Sequence, residues 1–216
     1  MSNINPQSPI IDFQPKLVNS ICLELLLNEL VPLSISTTEI LKTQANDIHD
    51  QLVKIQLKDS YTGDISILDS ELSSSDDVSF RLEQIGYNFG LRVSELLNYN
   101  NNINQSDLLT QPLELLTIMK FICRDVWKFN YGKQIDNLRT NHRGTFVLID
   151  NEFKYFKYLS SNVNKDEVLL LQRAKLWLYL PCGIIKGVLK SYDVDALVTP
   201  ELTTLPKVSF NIQTTI

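Results

Sequence analysis

Between Val78 and Asn98 the apolar residues recur at helical spacing on two sides of one helix at once, and this limits the fold more than any other feature of the chain. At roughly 100° per residue, Leu82, Ile85, Phe89, Val93 and Leu96 form a tight stripe, while Phe80, Tyr87 and Leu91 gather on the other side. Asp76 and Asp77 stand at the positive end of its dipole. Gly86 and Gly90 each cost about 1 kcal/mol of helix propensity relative to Ala, a cost met where another backbone comes close. An earlier helix, predicted from Lys16 to Val31 and ending at Pro32, repeats the pattern, with Leu17, Ile21 and Leu25 nearly opposite Leu23, Leu26 and Leu30. Such a helix is either a central element covered on both sides by its own chain or one shared between the core and a partner.

The remaining elements follow from local chemistry. Residues 1–15 are expected to be a flexible N-terminus and 16–216 a single domain, with a polar, partly disordered insertion at 33–77. The run Asp69 to Asp77 is too polar to repay its ordering entropy, and within the insertion only Glu39 to Leu57 has the spacing of a marginal amphipathic helix. Pro112 suits the first turn of a third helix reaching Phe129, whose Leu115, Ile118, Met119, Ile122, Cys123, Val126 and Trp127 cover a broad arc. Gln134 to Thr145 reads as a loop, Phe146 to Ile149 as a strand, Asp150 to Glu152 as a turn and Phe153 to Tyr158 as the returning strand. Asn164 and Glu167 resemble a capping box opening a last helix that Pro181 kinks or breaks. Gly183 and Gly187 repeat the four-residue spacing of small residues, and Asp195 to Pro200 and Val208 to Thr214 read as closing strands, with Val208, Phe210 and Ile212 inward. The expected class is α+β: about four main helices against a small antiparallel sheet.

Composition removes several functions. A net charge of −5 with 20 Lys and Arg dispersed over 216 residues gives no footprint for nucleic acid. The first fifteen residues lack the pattern of a secretory signal, which leads to an expectation of a cytosolic protein. Val168 to Leu189, the longest apolar stretch, is interrupted by Gln172, Arg173, Lys175, Pro181 and Lys186, so no transmembrane helix is expected. Cys22, Cys123 and Cys182 read as buried thiols. There is no Gly-rich phosphate loop, nucleophile elbow, HExxH or CxxC, and no catalytic, cofactor-binding or metal-binding residue is assigned. His142 is read as part of a structural loop, since the other histidine, His49, lies in the polar insertion.

Three segments then carry a resemblance: Gly86-Tyr87-Asn88-Phe89-Gly90-Leu91-Arg92 with Glu95; Lys120-Phe121-Ile122-Cys123-Arg124-Asp125-Val126-Trp127; and Leu138-Arg139-Thr140-Asn141-His142-Arg143-Gly144-Thr145-Phe146-Val147-Leu148 with Asp150-Asn151. Together they resemble the small subunits of the TRAPP tethering complex, the last segment specifically the subunit 6 branch. The resemblance runs from about Leu17 to the end, apart from the insertion. It implies four helices on a small sheet, with Gly86, Gly90, Arg92, Arg139, Thr140, Asn141, His142, Gly144 and Thr145 as structural family residues. It also implies a heterodimer, built from the first two helices, with a paralogous lipid-modified subunit. The expected interface residues are Leu23, Leu26, Leu30, Phe80, Tyr87 and Leu91.

The resemblance further implies a scaffold role in a Rab nucleotide exchange complex that serves ER-to-Golgi and Golgi transport, the Rab being reached indirectly. The acylated cysteine of the lipid-modified member has no counterpart in Asn98 to Leu109, so membrane contact at the Golgi and endoplasmic reticulum is expected only through the complex. Two other readings stay open. A lipid- or small-ligand-binding module of the same fold would need a long apolar cavity, which Phe121, Trp127 and Trp177 are bulky enough to fill. A hydrolase or transferase would depend on Asp136, Arg139 or His142.

Overall fold

The computed structural model describes residues 20–47, 76–100, 114–141, 143–158 and 167–214. Helix α1 spans Ser20–Asp47 and α2 spans Asp76–Asn100. A third helical rod, α3, is α-helical over Leu115–Phe121, π-helical over Ile122–Val126 and α-helical again over Trp127–Tyr131. After β1 (Asn137–Thr140) and β2 (Thr145–Asp150) comes α4 (Glu167–Ser191), then β3 (Ala196–Thr204) and β4 (Lys207–Thr214). The four strands form one antiparallel sheet in the order β1-β2-β4-β3. The α+β class read from the sequence is the one observed.

The glycine pairs explain how α2 and α4 meet. A Cβ on Gly86 would fall on the carbonyl oxygen of Leu180 and 3.1 Å from the Cα of Gly183, and one on Gly90 would fall on the carbonyl of Ile184. Gly183 and Gly187 are pressed in turn against the carbonyls of Glu83 and Tyr87. Four small residues thus interlock two backbones, and polar contacts pin both ends of the crossing. Lys186 pairs with Glu83 near one end. At the other, the Ser94 and Ser191 hydroxyls are 2.6 Å apart and the Tyr192 hydroxyl donates to Asn98 Oδ1 at 2.8 Å.

Neither helical proline ends its helix, although Pro32 was expected to end the first and Pro181 to kink or break the last. Pro32 lies inside α1 and Pro181 inside α4. A mid-helix proline removes one backbone bond and costs about 3 kcal/mol, but burial beyond each outweighs it. After Pro32 the chain buries Ile35 completely, with Ser34 and Thr38 beside it, and a fully buried Ile contributes about 1.5–3 kcal/mol. The Ser34 and Thr38 hydroxyls donate to the carbonyls of Leu30 and Ser34 at 2.7 and 2.8 Å, which gives both buried hydroxyls an acceptor. After Pro181, Cys182, Ile184, Ile185, Val188 and Leu189 are all buried. Residues 33–47 of the expected insertion are therefore helix, including Leu41 and Ala45 of the expected amphipathic segment. The rest of that segment, the acidic run before Asp76, Pro112, Asn164 and residues 1–15 lie outside the described residues.

The returning strand is also corrected. Lys154–Tyr158 forms a 3-10 turn, and β2 pairs instead with β1 upstream, Leu138 opposite Leu148 and Thr140 opposite Phe146. In a strand, Phe153 and Tyr155 would face one way and Phe156 the other; in the turn all three are buried. Phe153 sits 5.3 Å from Tyr131 and 5.1 Å from Phe156, ring centre to ring centre, and Trp127 lies tilted against Tyr131 at 4.4 Å and edge-on to Phe210 at 5.4 Å. The space between α3 and the sheet is filled by these rings. β4 turns Val208, Phe210 and Ile212 inward as the alternation requires.

Candidate partner interface

Helix α1 lies at the edge of the molecule, packed on α2 with a lighter contact to α4. Its buried stripe is Glu24, Leu27, Val31, Ser34, Ile35 and Thr38, spaced at threes and fours. Glu24 is the unexpected member: it sits on the core stripe and pairs with Lys154, so a charged residue interrupts the apolar pattern that would otherwise mark the core. Turned away from this stripe, Ile21, Leu25, Leu26 and Leu33 are exposed, with Leu26 60% and Leu25 64% accessible.

On α2, Phe80 is 69% accessible and Leu96 and Tyr99 are exposed. Of the six residues expected at an interface, Leu26 and Phe80 are exposed on these two helices, whereas Leu23, Leu30, Tyr87 and Leu91 are half-buried. Leu23 and Leu30 also pack against the core. The two apolar groups on α1 do not divide into one inner and one outer face, because the true core stripe runs between them. Thr38, Leu41, Phe80, Gln84, Ile85 and Asn88 border an open groove of about 490 Å³ between α1 and α2, bridged at one end by Lys42 and Asp77 at 3.0 Å.

The uncovered apolar surface also gives α1, rather than Val168 to Leu189, the length and composition nearest to a membrane span. Among the described residues, Ile21–Thr43 is long and apolar enough to cross a membrane by length and composition, with a mean hydropathy of 1.3. A third of that window is buried inside the fold, and Glu24 is ion-paired within it. Its apolar character belongs to a packed helix with one side open.

The polar family residues have structural places. Asn141 Oδ1 accepts from the amides of Arg143 and Thr145 at 2.9 and 3.0 Å, closing the β1–β2 turn. Gly144 adopts φ +82, a conformation that favours glycine, and its carbonyl accepts from both the amide and the hydroxyl of Thr214 at 2.9 Å. Arg92 pairs with Glu95 at 3.1 Å on the surface. Arg139 is exposed on β1, and His142 lies outside the described residues. Asp136 is held by Lys133 and by the Asn151 amide at 2.6 Å. These arrangements bind turns and strand ends to one another.

Sequence reading missed the role of Asp150, which it took for a turn residue. It is fully buried, accepting from the Trp127 indole at 2.9 Å and the Glu152 amide at 3.0 Å and pairing with Lys133. Burial works to lower the Lys133 pKa, but the hydrogen bond and charge of Asp150, then Asp136, outweigh it and hold that pKa above the usual lysine value. Burial alone pushes the Cys123 thiol up to about 12, and burial, then the charge of Glu83, raises Cys182 against the opposing charge of Lys186, which keeps both thiols protonated and unreactive. Cys182 is buried as expected, Cys123 is only half-buried and Cys22 is exposed.

The chain and its fold have counterparts among known proteins. Residues 23–215 match the family described as Transport protein particle (TRAPP) component. The chain is 40% identical over 97 residues to trafficking protein particle complex subunit 6b of Danio rerio, an alignment covering 45% of this chain and 59% of that protein. It is 35% identical over 131 residues to subunit 6A of Bos taurus, covering 61% of this chain and 74% of that one. The chain thus spans little more than half the length of the subunit 6b relative. A crystal structure of trafficking protein particle complex subunit 3 from Naegleria fowleri, covalently bound to palmitic acid, superposes with a TM-score of 0.53 at 13% identity, covering 92% of this chain and 98% of that one. That likeness is one of fold.

Proposed function

The chain belongs to the TRAPP component family, and from that membership we propose that it is a non-catalytic assembly subunit of the TRAPP tethering complex. In this reading it pairs through the outer face of α1 and α2 with a paralogous, lipid-modified small subunit. It supports nucleotide exchange on a Rab GTPase whose contact surface is built mainly by other subunits. The place of action is the cytoplasmic side of cis-Golgi and endoplasmic reticulum membranes, in ER-to-Golgi and Golgi transport, with membrane contact through the complex.

The observation that carries the reading is the run of exposed apolar side chains Ile21, Leu25, Leu26, Leu33 and Phe80 across two helices. A stable interface buries about 800 Å² per partner, and a contiguous apolar patch of several hundred Å², on the order seen at interaction sites, is what an assembly subunit leaves uncovered when alone. The lipid-cavity alternative finds less support, because Trp127, Tyr131, Phe153 and Phe210 occupy the space between α3 and the sheet. The test is to mix the purified chain with its lipid-modified paralogue. Leu26→Asp with Phe80→Asp is expected to abolish pairing while helix content by circular dichroism stays unchanged; pairing that survives would assign the wrong face.

A further inference from the structure

We infer that the groove between α3 and β1 docks an extended acidic segment of another polypeptide, which adds to the free edge of the sheet. The two edges of this sheet are not alike. β3 carries Pro200 and a register irregularity between Glu201 and Thr204, devices that blunt an edge against further pairing. β1 is the other edge, bonded to β2 on one side only, and it has neither proline nor irregularity.

Beside that edge lies an open groove of about 510 Å³, within the size range of pockets that hold a ligand. Leu116, Cys123, Ile135 and Leu138 give it an apolar lining, and its charged members are both cations, Lys120 and Arg124. Arg124 is turned toward Asp125, 2.7 Å away. The nearby Asp136 is occupied by Lys133 and the Asn151 amide. Lys120 is exposed, and no carboxylate among the described residues engages it. A positive rim on an apolar trough, in a chain whose net charge is −5, complements an extended strand that places an apolar side chain beside Leu138 and a carboxylate at Lys120. Strand addition supplies main-chain bonds for affinity, and the groove selects the side chains. The groove shares no lining residue with the α1–α2 face, so failure of the pairing reading and failure of this one are separate results.

The test is a titration of the isotope-labelled full chain, followed by NMR, with two blocked hexapeptides alternating valine with either aspartate or lysine. The aspartate peptide is expected to shift the backbone amides of Leu138 and its β1 neighbours in a saturable manner, and the lysine peptide to leave them in place. Lys120→Glu should weaken the aspartate peptide about fivefold, the worth of one exposed ion pair, while Lys207→Glu on β4 should not. The same spectra report that each variant is folded. Equal shifts from both peptides, shifts centred on β3, or none at β1 would overturn the inference.

Discussion

Replacing Asp150 by Ala would strip three donors of one acceptor: the Trp127 indole, the Glu152 amide and the Lys133 ammonium. Lys133 is partly exposed and can rehydrate, so the cost is mainly that of two orphaned donors, about 2–4 kcal/mol, read as a lowered urea midpoint. Alkaline pH probes the same region. The Cys123 thiol has its pKa raised from 9.0 to about 12 by burial, and burial raises Tyr131 in the same direction. A raised folded-state pKa gives stability that is complete below pH 9 and is lost as pH climbs from 9 towards 12. Thermal unfolding is therefore expected to be level below that range and to fall within it, with Cys123→Ala reducing the fall. Asp150 was illegible in the sequence because a polar residue after Phe146 to Ile149 looks like the start of a turn. Only its partner Trp127, an indole needing an acceptor when buried, could have pointed to it.

The glycine spacing was legible at the scale of elements: Gly86 with Gly90 and Gly183 with Gly187 each announced a close backbone, and each found the other. Gly90→Ala and Gly183→Ala should each cost about 1–3 kcal/mol, towards the upper end because the obstacle is a carbonyl oxygen rather than a movable side chain. The denaturant slope should not change. Pro32 was misread because local chemistry argues for a helix end, while Ile35, buried only through tertiary contact, argues for continuation. Pro32→Ala is accordingly expected to raise the thermal midpoint, recovering up to about 3 kcal/mol; a loss of stability would mean that the ring packs better than its missing bond costs. Phe153 to Tyr158 failed for a related reason. Aromatic residues favour strands, but three rings that must all face inward fit a 3-10 turn, and nothing local reveals that demand.

For the whole molecule, helical patterns followed by strand-like runs carried the α+β class, and the two-sided helices carried the idea of a shared surface. They did not reveal how the surface divides, because the core stripe of α1 includes Glu24 and falls between the two leucine groups. A stripe containing a carboxylate is recognised only once Lys154 is seen beside it. Ile21, Leu25, Leu26 and Leu33 on α1 and Phe80 on α2 are left exposed, and the central claim is that a second small subunit covers them. The most direct measurement is the mass in solution, by light scattering, of this chain alone, of its lipid-modified paralogue alone and of their equimolar mixture. A stable one-to-one complex that disappears with Leu26→Asp and Phe80→Asp is the predicted result. A monomer that ignores the paralogue, or a complex indifferent to both substitutions, would contradict it.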